Sequence, residues 1–254
     1  MNPPTPKPHR FPGLFIAGTD TGVGKTVVGC ALLRAARNRG RRLIPFKPAE
    51  TGIDPEPLDA LRLHHAAGAP VPADRICLYP LRLPAAPQAA AALEGVTIAL
   101  APILERADEL AAAGDGLLVE AAGGLLVPYA PNLTGADLAA HLGFPVLLIG
   151  RSALGTINHT ALSIAELRRR QIEIAGVVLV QTQIDHQPHE ATNAPLITQL
   201  TGLVPLGTVR DLPATPVHTA ADPDALAAAL VEAIGDEALE RLLTLATGSR
   251  SSQR

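Results

Sequence analysis

The sequence predicts a single α/β domain in which helices cover both faces of a mostly parallel sheet. Short, continuous apolar runs alternate along the chain with segments of helical periodicity, which is typical of parallel strands buried on both faces. The chain has 254 residues, 47% of them hydrophobic, with no internal repeat or linker, so one large core can form. The domain is expected to span residues 11–247, between a disordered leader at 1–10 and a frayed tail at 248–254.

The predicted strands are the apolar runs, and the predicted helices are the periodic segments between them. Strands are expected at residues 14–17, 42–46, 116–120, 144–149, 174–180 and 203–206. Helices are expected at residues 25–38, 58–66, 97–113, 156–170, 188–200 and 225–246. Gly40 is a stop signal for the first helix, and Gly235 is expected to break the last one.

Proline and glycine mark two long connecting segments. Pro48 is expected to end the second strand, and the proline-rich stretch 49–87 that follows is too long for a simple connection. We therefore expect it to be a functional insertion. Residues 121–134 are rich in glycine and proline and are expected to form a loop.

Composition argues against several classes of partner. The formal net charge is −3. The chain therefore lacks the excess of basic residues that binding to nucleic acid or to an anionic membrane requires. The sequence has no apolar run of the roughly 18 residues that a membrane span needs, and residues 1–8 lack the apolar core of a secretory signal. Cys30 and Cys77 suit buried thiols in a reducing compartment. We expect a soluble, cytoplasmic protein that binds neither nucleic acid nor membranes.

Residues 18–26 read GTDTGVGKT. They follow an apolar strand and open a helix, which is the context of a phosphate-binding P-loop. Backbone N–H groups of such a turn, together with the helix N-terminus, converge on phosphate oxygens. Lys25 is expected to reach the β- and γ-phosphates of a nucleoside triphosphate, and the Thr26 hydroxyl is expected to ligate Mg²⁺. The fold class is therefore a single-domain P-loop fold.

Three details refine this motif. In the strict spacing the first glycine would stand at Thr19, whereas here it is Gly18. Asp20 occupies the place of the second lysine in partitioning ATPases that act as switches, which argues against that class. Outside the leader, the only lysines of this arginine-rich chain are Lys25 and Lys47. An ammonium is a compact point charge, so these two positions are expected to need one specifically.

Five motifs stand in a characteristic order. They are GTDTGVGKT at 18–26, FKPAETG at 46–52, LDAL at 58–61, VEAAGG at 119–124 and LGTINHT at 154–160. With this set the chain resembles the dethiobiotin synthetase family from about residue 14 to residue 212. The resemblance implies that ATP, CO₂ or bicarbonate, and 7,8-diaminononanoate react through a phosphorylated carbamate to give dethiobiotin. It also implies a homodimer and Mg²⁺.

The resemblance also implies the roles of particular residues. The implied catalytic residues are Lys47, Lys25 and Thr21, and the implied Mg²⁺ ligands are Thr26, Asp59 and Glu120. The implied substrate-binding residues are Thr51, Gly123, Gly124, Gly155 and Asn158. The implied nucleotide-binding residues are Gly22, Val23, Gly24, Lys25, Thr26, Val27, Asp59, Glu120, Ala121, Ala122, Gly123, Val180, Gln181, Val209, Arg210 and Asp211. Capping of a helix remains an alternative for Asp59, Thr156 and Asn158, and a local turn remains one for Thr51.

Departures from the family pattern concern mainly the nucleobase. Val180 stands where many members have an asparagine that reads adenine, and residues 207–210 lack the family's proline. We therefore hypothesise weak or altered selectivity for adenine, with CTP or GTP accepted. Ala121 replaces a usual glycine, and Gln88 replaces a usual histidine.

Two other functions remain open from the sequence. One is an amide- or carboxylate-activating P-loop ligase similar to cobyrinic acid synthetase. The other is a non-catalytic nucleotide-binding regulator, which would keep the P-loop but would not require Lys47, Thr51 and the carboxylates in register.

Overall fold

A computed structural model describes residues 11–182, 188, 190–210 and 222–248. Its main sheet contains the strands β1 (Gly13–Gly18), β2 (Leu43–Thr51), β3 (Cys77–Leu81), β4 (Gly116–Gly124), β7 (Val146–Arg151), β8 (Ile174–Val180) and β9 (Gly207–Val209). The seven strands are parallel and are arranged in the order β3-β2-β4-β1-β7-β8-β9. A small antiparallel pair is formed by β5 (Pro128–Ala130) and β6 (Leu133–Thr134).

Eight helices pack against the sheet in the described part of the chain. They are α1 (Lys25–Asn38), α2 (Leu58–Ala67), α3 (Pro87–Leu93), α4 (Leu100–Ala111), α5 (Gly135–Leu142), α6 (Thr156–Arg169), α7 (Glu190–Thr201) and α8 (Pro223–Thr247). Alternate residues of β1 belong to two separate cores: Leu14 and Ile16 pack with α1, α2 and α8, whereas Phe15 and Ala17 pack with α3 to α7. The two-faced α/β sheet predicted from the sequence is confirmed. Within the described residues, no helix combines the length and apolar character needed to span a membrane.

Several element boundaries differ from the prediction. Proline has no N–H to donate to a neighbouring strand, yet β2 continues through Pro48. It can do so because the strand changes its hydrogen-bonding partner there. Residues 43–46 pair with β4, whereas Lys47 and the residues that follow it pair with β3. The predicted loop 121–134 is wrong in part, since β4 continues to Gly124 and β5 and β6 follow. The strand predicted at 203–206 is also wrong, because the ladder to β8 begins only at Gly207.

Other differences concern short elements inside predicted connections. The stretch 49–87 contains β3 and the first residue of α3, and α5 was not predicted. Gly235 has φ +78° and ψ 158° and interrupts α8, as predicted. The predicted leader at 1–10 and tail residues 249–254 lie outside the described residues.

The helix α8 lies unusually close to the sheet. A Cβ atom added to the buried Gly116, at the start of β4, would lie 1.9 Å from the carbonyl oxygen of Ala246. A Cβ atom added to Gly207, at the start of β9, would lie 1.9 Å from the carbonyl oxygen of Ala233. Glycine at these positions therefore sets the distance between α8 and the sheet.

We expect Gly116→Ala to lower the free energy of unfolding by about 3 kcal/mol, because α8 must move to relieve the clash. The control is Gly95→Ala, at an exposed position with φ +69° and no heavy atom within 4 Å. It is expected to lose about 1 kcal/mol, from left-handed strain alone. Urea unfolding of both variants measures the difference. Equal losses would contradict the close packing of α8.

Candidate active site

The P-loop connects β1 to α1 at the carboxyl end of the sheet, where ligands of parallel α/β sheets bind. Gly24 has φ +98° and precedes the first turn of α1. Lys25 folds back over the loop, and its Nζ donates to the carbonyl oxygen of Asp20 at 3.0 Å. A Cβ atom on Gly18 would lie 2.8 Å from that Nζ. Glycine at position 18 therefore leaves room for the lysine side chain.

Lys47 and Glu120 are brought together by the register of two neighbouring strands. Phe46 lies opposite Val119, and both point into the core formed with α3 to α7. The next residues, Lys47 and Glu120, therefore point to the opposite face, where α1 and α2 pack. The Nζ of Lys47 lies 2.5 Å from Oε1 of Glu120. Lys47 is 3% exposed and Glu120 is 0% exposed.

Two of the helices on that face, α1 and α2, each contribute one polar side chain from the first turn. Thr26 of α1 donates through Oγ1 to Oε1 of Glu120 at 2.8 Å. Asp59 of α2 places Oδ2 2.9 Å from Nζ of Lys47. We refer to Thr26, Lys47, Asp59 and Glu120 as the buried charge cluster. It lies beside Lys25.

The pKa shifts of the lysines differ in direction because their neighbours differ. Burial alone would lower the pKa of Lys47, but Glu120 and Asp59 hold it well above the ordinary value. Burial lowers the pKa of Lys25 to about 8, an effect that Glu120 opposes and Lys47 reinforces. Burial alone would raise the pKa of Asp59, yet Lys47 lowers it. Lys47 is therefore held as an ammonium against a carboxylate.

The donor set of the cluster fits a magnesium ion. Thr26, Asp59 and Glu120 offer only hard oxygen atoms, and Mg²⁺ typically takes one or two carboxylates together with phosphate and water. Oε2 of Glu120 is buried and makes no hydrogen bond within the described part of the chain. An acceptor without a donor is costly in the interior. This carboxylate is therefore not saturated by the protein alone.

Three residues at the site were not predicted from the sequence. Glu50, near the end of β2, accepts hydrogen bonds from the backbone N–H groups of Asp59 and Ala60. The Tyr129 hydroxyl accepts a hydrogen bond from the backbone N–H of Ala122 at 2.6 Å. Burial raises the pKa of Tyr129 to about 12. Nη2 of Arg151 donates a hydrogen bond to the backbone carbonyl oxygen of Thr21, in the P-loop, at 3.3 Å. Position inside the FKPAETG motif is the signal that could have revealed Glu50.

The other expected substrate residues lie around this cluster. Gly124 pairs in register with Gly18, so the end of β4, which also contains Gly123, borders the P-loop. Thr51 is half-buried at the end of β2. Thr21 is exposed, and its backbone N–H donates to the Asp20 carboxylate at 2.7 Å.

The start of α6 is open to solvent. Gly155 and Asn158 are exposed, and among the described residues no hydrogen bond or ion pair links them to the buried charge cluster. Neither Thr156 nor Asn158 caps α6, because the N-cap is Gly155 without a side-chain hydrogen bond. Asp59 does not cap α2 either, since the N-cap there is Pro57.

Of the residues expected at the nucleobase, Val180 packs against the P-loop. Val180 is fully buried, and its Cγ1 lies 2.7 Å from the position that a Cβ on Gly24 would take. The N–H of Gln181 donates to the carbonyl of Val209 at 2.9 Å. The remaining predicted contacts range from buried to exposed: Val23, Ala121 and Ala122 are buried, Val27 is half-buried, and Gly22 and Arg210 are exposed. Asp211 lies outside the described residues.

Comparison with solved structures shows the fold. The cell division protein MinD of Aquifex aeolicus superposes with a TM-score of 0.52 at 13% identity, covering 96% of this chain and all of that one. The cell division ATPase MinD of Pyrococcus furiosus gives 0.51 at 15% identity, over 92% of this chain and 98% of that one. These likenesses concern the architecture alone. A family model described as an AAA domain matches residues 12–218.

Sequence comparison is more specific. The ATP-dependent dethiobiotin synthetase BioD of Anaeromyxobacter dehalogenans is 50% identical over 195 residues, which covers 76% of this chain and 87% of the relative. Proteins of the same name from Phenylobacterium zucineum and Bacillus thuringiensis are 41% and 37% identical, over 76% and 77% of this chain and 86% and 81% of their own lengths. With identity of this extent, the chain belongs to the ATP-dependent dethiobiotin synthetase family.

Proposed function

We propose that this protein converts 7,8-diaminononanoate and CO₂ to dethiobiotin at the expense of ATP, as a step of biotin biosynthesis. The observation that carries the proposal is the contact of the Lys47 ammonium with Glu120 and Asp59, next to the P-loop Lys25. A phosphate-binding regulator has no need of a second buried lysine. Relatives up to 50% identical carry the name of this enzyme.

The proposed reaction brings two anions together. One amine of the substrate adds to CO₂ to form a carbamate, whose oxygen attacks the γ-phosphorus while ADP leaves. The second amine then attacks the carbamate carbon, the bond from that carbon to the phosphate oxygen breaks, and the ring closes. The protein's task is to position the carbamate and the triphosphate and to offset their repulsion. Lys47 would hold the carbamate and the transferred oxygens, and Lys25 would hold the β- and γ-phosphates.

The remaining roles follow from the same assignment. Thr26, Asp59 and Glu120 would hold Mg²⁺, which when bound neutralises phosphate charge. Thr21 would donate toward the reacting groups, and Thr51 with Gly123 and Gly124 would line the substrate position. Backbone groups of Gly22, Val23, Gly24 and Val27 would contact the nucleotide, with Ala121, Ala122, Val180, Gln181, Val209, Arg210 and Asp211 around it.

The substrate carboxylate would bind at the start of α6, near Gly155 and Asn158, because a helix N-terminus attracts anions. Among the described residues, this site has no hydrogen bond or ion pair to the buried charge cluster, and we propose that a second copy of the chain completes it. The adjacent Leu154 is 90% exposed, which supports an apolar contact between two subunits there. We also propose that the enzyme works in the cytoplasm.

The function is tested by incubating the protein with diaminononanoate, bicarbonate, Mg²⁺ and ATP and measuring dethiobiotin by mass spectrometry. We expect product from the unaltered protein and a rate at least about 100-fold lower for Lys47→Met, because a charge that stabilises the transition state is lost. Lys7→Met, which removes a lysine from the leader, is the matched control and should keep the full rate.

Loss of Lys47 leaves two carboxylates facing each other, so circular dichroism and ATP binding are measured to confirm that the variant is folded. A folded Lys47→Met protein with an unchanged rate would refute the proposal. ATP binding by the unaltered protein without any turnover would indicate a regulator, and formation of an amide from another carboxylic acid would indicate a different ligase.

Nucleotide preference is a separate prediction. Val180 has no hydrogen-bonding group for adenine and is buried against Gly24. We expect CTP or GTP, at the same concentration as ATP, to support turnover within about tenfold of the ATP rate, since one missing base contact costs about 1 kcal/mol. The preparations are first checked for ATP contamination. A strict requirement for ATP would show that other groups read the base.

Assembly provides a further prediction. We expect the protein to elute as a dimer in light-scattering chromatography and Leu154→Asp to shift it toward the monomer, because a charge would be buried at the contact. The KM for diaminononanoate should rise at the same time. Leu93→Asp, at another leucine that is 76% exposed, is the control and should change neither. A dimer unaffected by Leu154→Asp would place the interface elsewhere.

A further inference from the structure

The first turn of α2 is capped from outside the helix. Its N-cap residue is Pro57, whose side chain forms no capping hydrogen bond. Instead, Oε1 of Glu50 accepts from the N–H of Asp59 at 2.8 Å, and Oε2 of Glu50 accepts from the N–H of Ala60 at 2.9 Å. One carboxylate from β2 therefore satisfies two of the N–H groups that a helix start leaves open.

This contact is buried and direct. Glu50 is 7% exposed, so water does not readily replace either hydrogen bond. The helix dipole places partial positive charge at the same N–H groups, which favours a carboxylate there. Burial raises the Glu50 pKa, while Lys47 and the two backbone donors oppose that shift. Removal of the carboxylate would leave two buried donors without an acceptor.

Glu50 touches the backbone of the same residue whose side chain belongs to the buried charge cluster. The N–H of Asp59 is held by Glu50, and Oδ2 of Asp59 lies 2.9 Å from Nζ of Lys47. Both Glu50 and Lys47 are on β2, so one strand fixes Asp59 at its backbone and at its carboxylate. The position of Asp59 relative to Glu120 is thereby set by the sheet rather than by the residues 52–57 that precede α2.

We propose that Glu50 is a positioning residue, which fixes the backbone of Asp59 at the start of α2 and thereby places the Asp59 carboxylate for binding the divalent cation of the nucleotide complex. The proposal rests on the metal-binding role given to Asp59 in the proposed function. It assigns no contact between Glu50 and the substrate or the nucleotide.

The first test uses the unaltered protein. Backbone N–H groups in the first turn of a helix ordinarily exchange rapidly, because they have no partner within the helix. We expect the amides of Asp59 and Ala60 to exchange at least tenfold more slowly than the amide of Leu58 in the same turn, measured by NMR. Rapid exchange at both amides would overturn the proposal without any variant.

The second test measures metal affinity with Mn²⁺ as the probe, by electron paramagnetic resonance in the presence of ADP. Glu50→Gln is expected to weaken Mn²⁺ binding by about five- to tenfold and to speed exchange at Asp59 and Ala60. The control is Glu94→Gln, which alters a carboxylate that also accepts a backbone N–H, that of Leu83 at 2.9 Å. It should leave Mn²⁺ affinity unchanged.

Glu50→Asp serves as the second variant, since it keeps the charge but is too short to reach both N–H groups, and it is expected to give an intermediate affinity. Lower thermal stability with unchanged Mn²⁺ affinity would show that Glu50 is merely structural and would overturn the proposal. Dethiobiotin formation by the unaltered protein is measured separately. If the protein makes no dethiobiotin while Glu50→Gln still weakens Mn²⁺ binding, only the proposed reaction fails.

Discussion

The structure depends on one buried ion pair, between Lys47 and Glu120, whose charged atoms are 2.5 Å apart. A charge removed from water is costly unless it is paired and hydrogen-bonded. Glu120 has no exposed surface, so it requires a partner inside the protein. The pair forms only when β2 lies beside β4 with Phe46 opposite Val119. This requirement links the order of strands in the sheet to the chemistry at its edge.

The same interaction explains how the proposed phosphate site can hold its charged groups in place before a ligand binds. Thr26 and Asp59 each lie in the first turn of a helix, and both reach the charges of the central strands. Helix N-termini and ammonium groups are together suited to bind phosphates. Glu120 and Asp59 hold the pKa of Lys47 well above its ordinary value, against the effect of burial. At Lys25, by contrast, burial outweighs the neighbouring carboxylates and lowers the pKa to about 8.

Much of this arrangement could be predicted from the sequence, because local patterns encode it. The P-loop has a motif, and the apolar runs of β4 and β8 are continuous. The features that were not predicted depend on contacts between elements that are distant in the sequence. The strand β2 continues past Pro48 because β3 supplies new partners there, and β9 has only three residues. The motif marks Glu50 as a residue of interest, but its hydrogen bond to the N–H of Asp59 forms only when α2 packs against β2.

The central claim is that Lys47 and Glu120 stabilise the interior only as a pair, and a double-mutant cycle on unfolding tests it most directly. Lys47→Met is expected to lower the free energy of unfolding by about 3 kcal/mol, because it leaves the buried Glu120 carboxylate without a cation. Glu120→Met is expected to cost less, because Lys47 keeps its ion pair with Asp59. The double variant should recover most of that loss. If the two losses simply add in the double variant, Lys47 and Glu120 do not stabilise the interior as a pair, and the central claim is wrong.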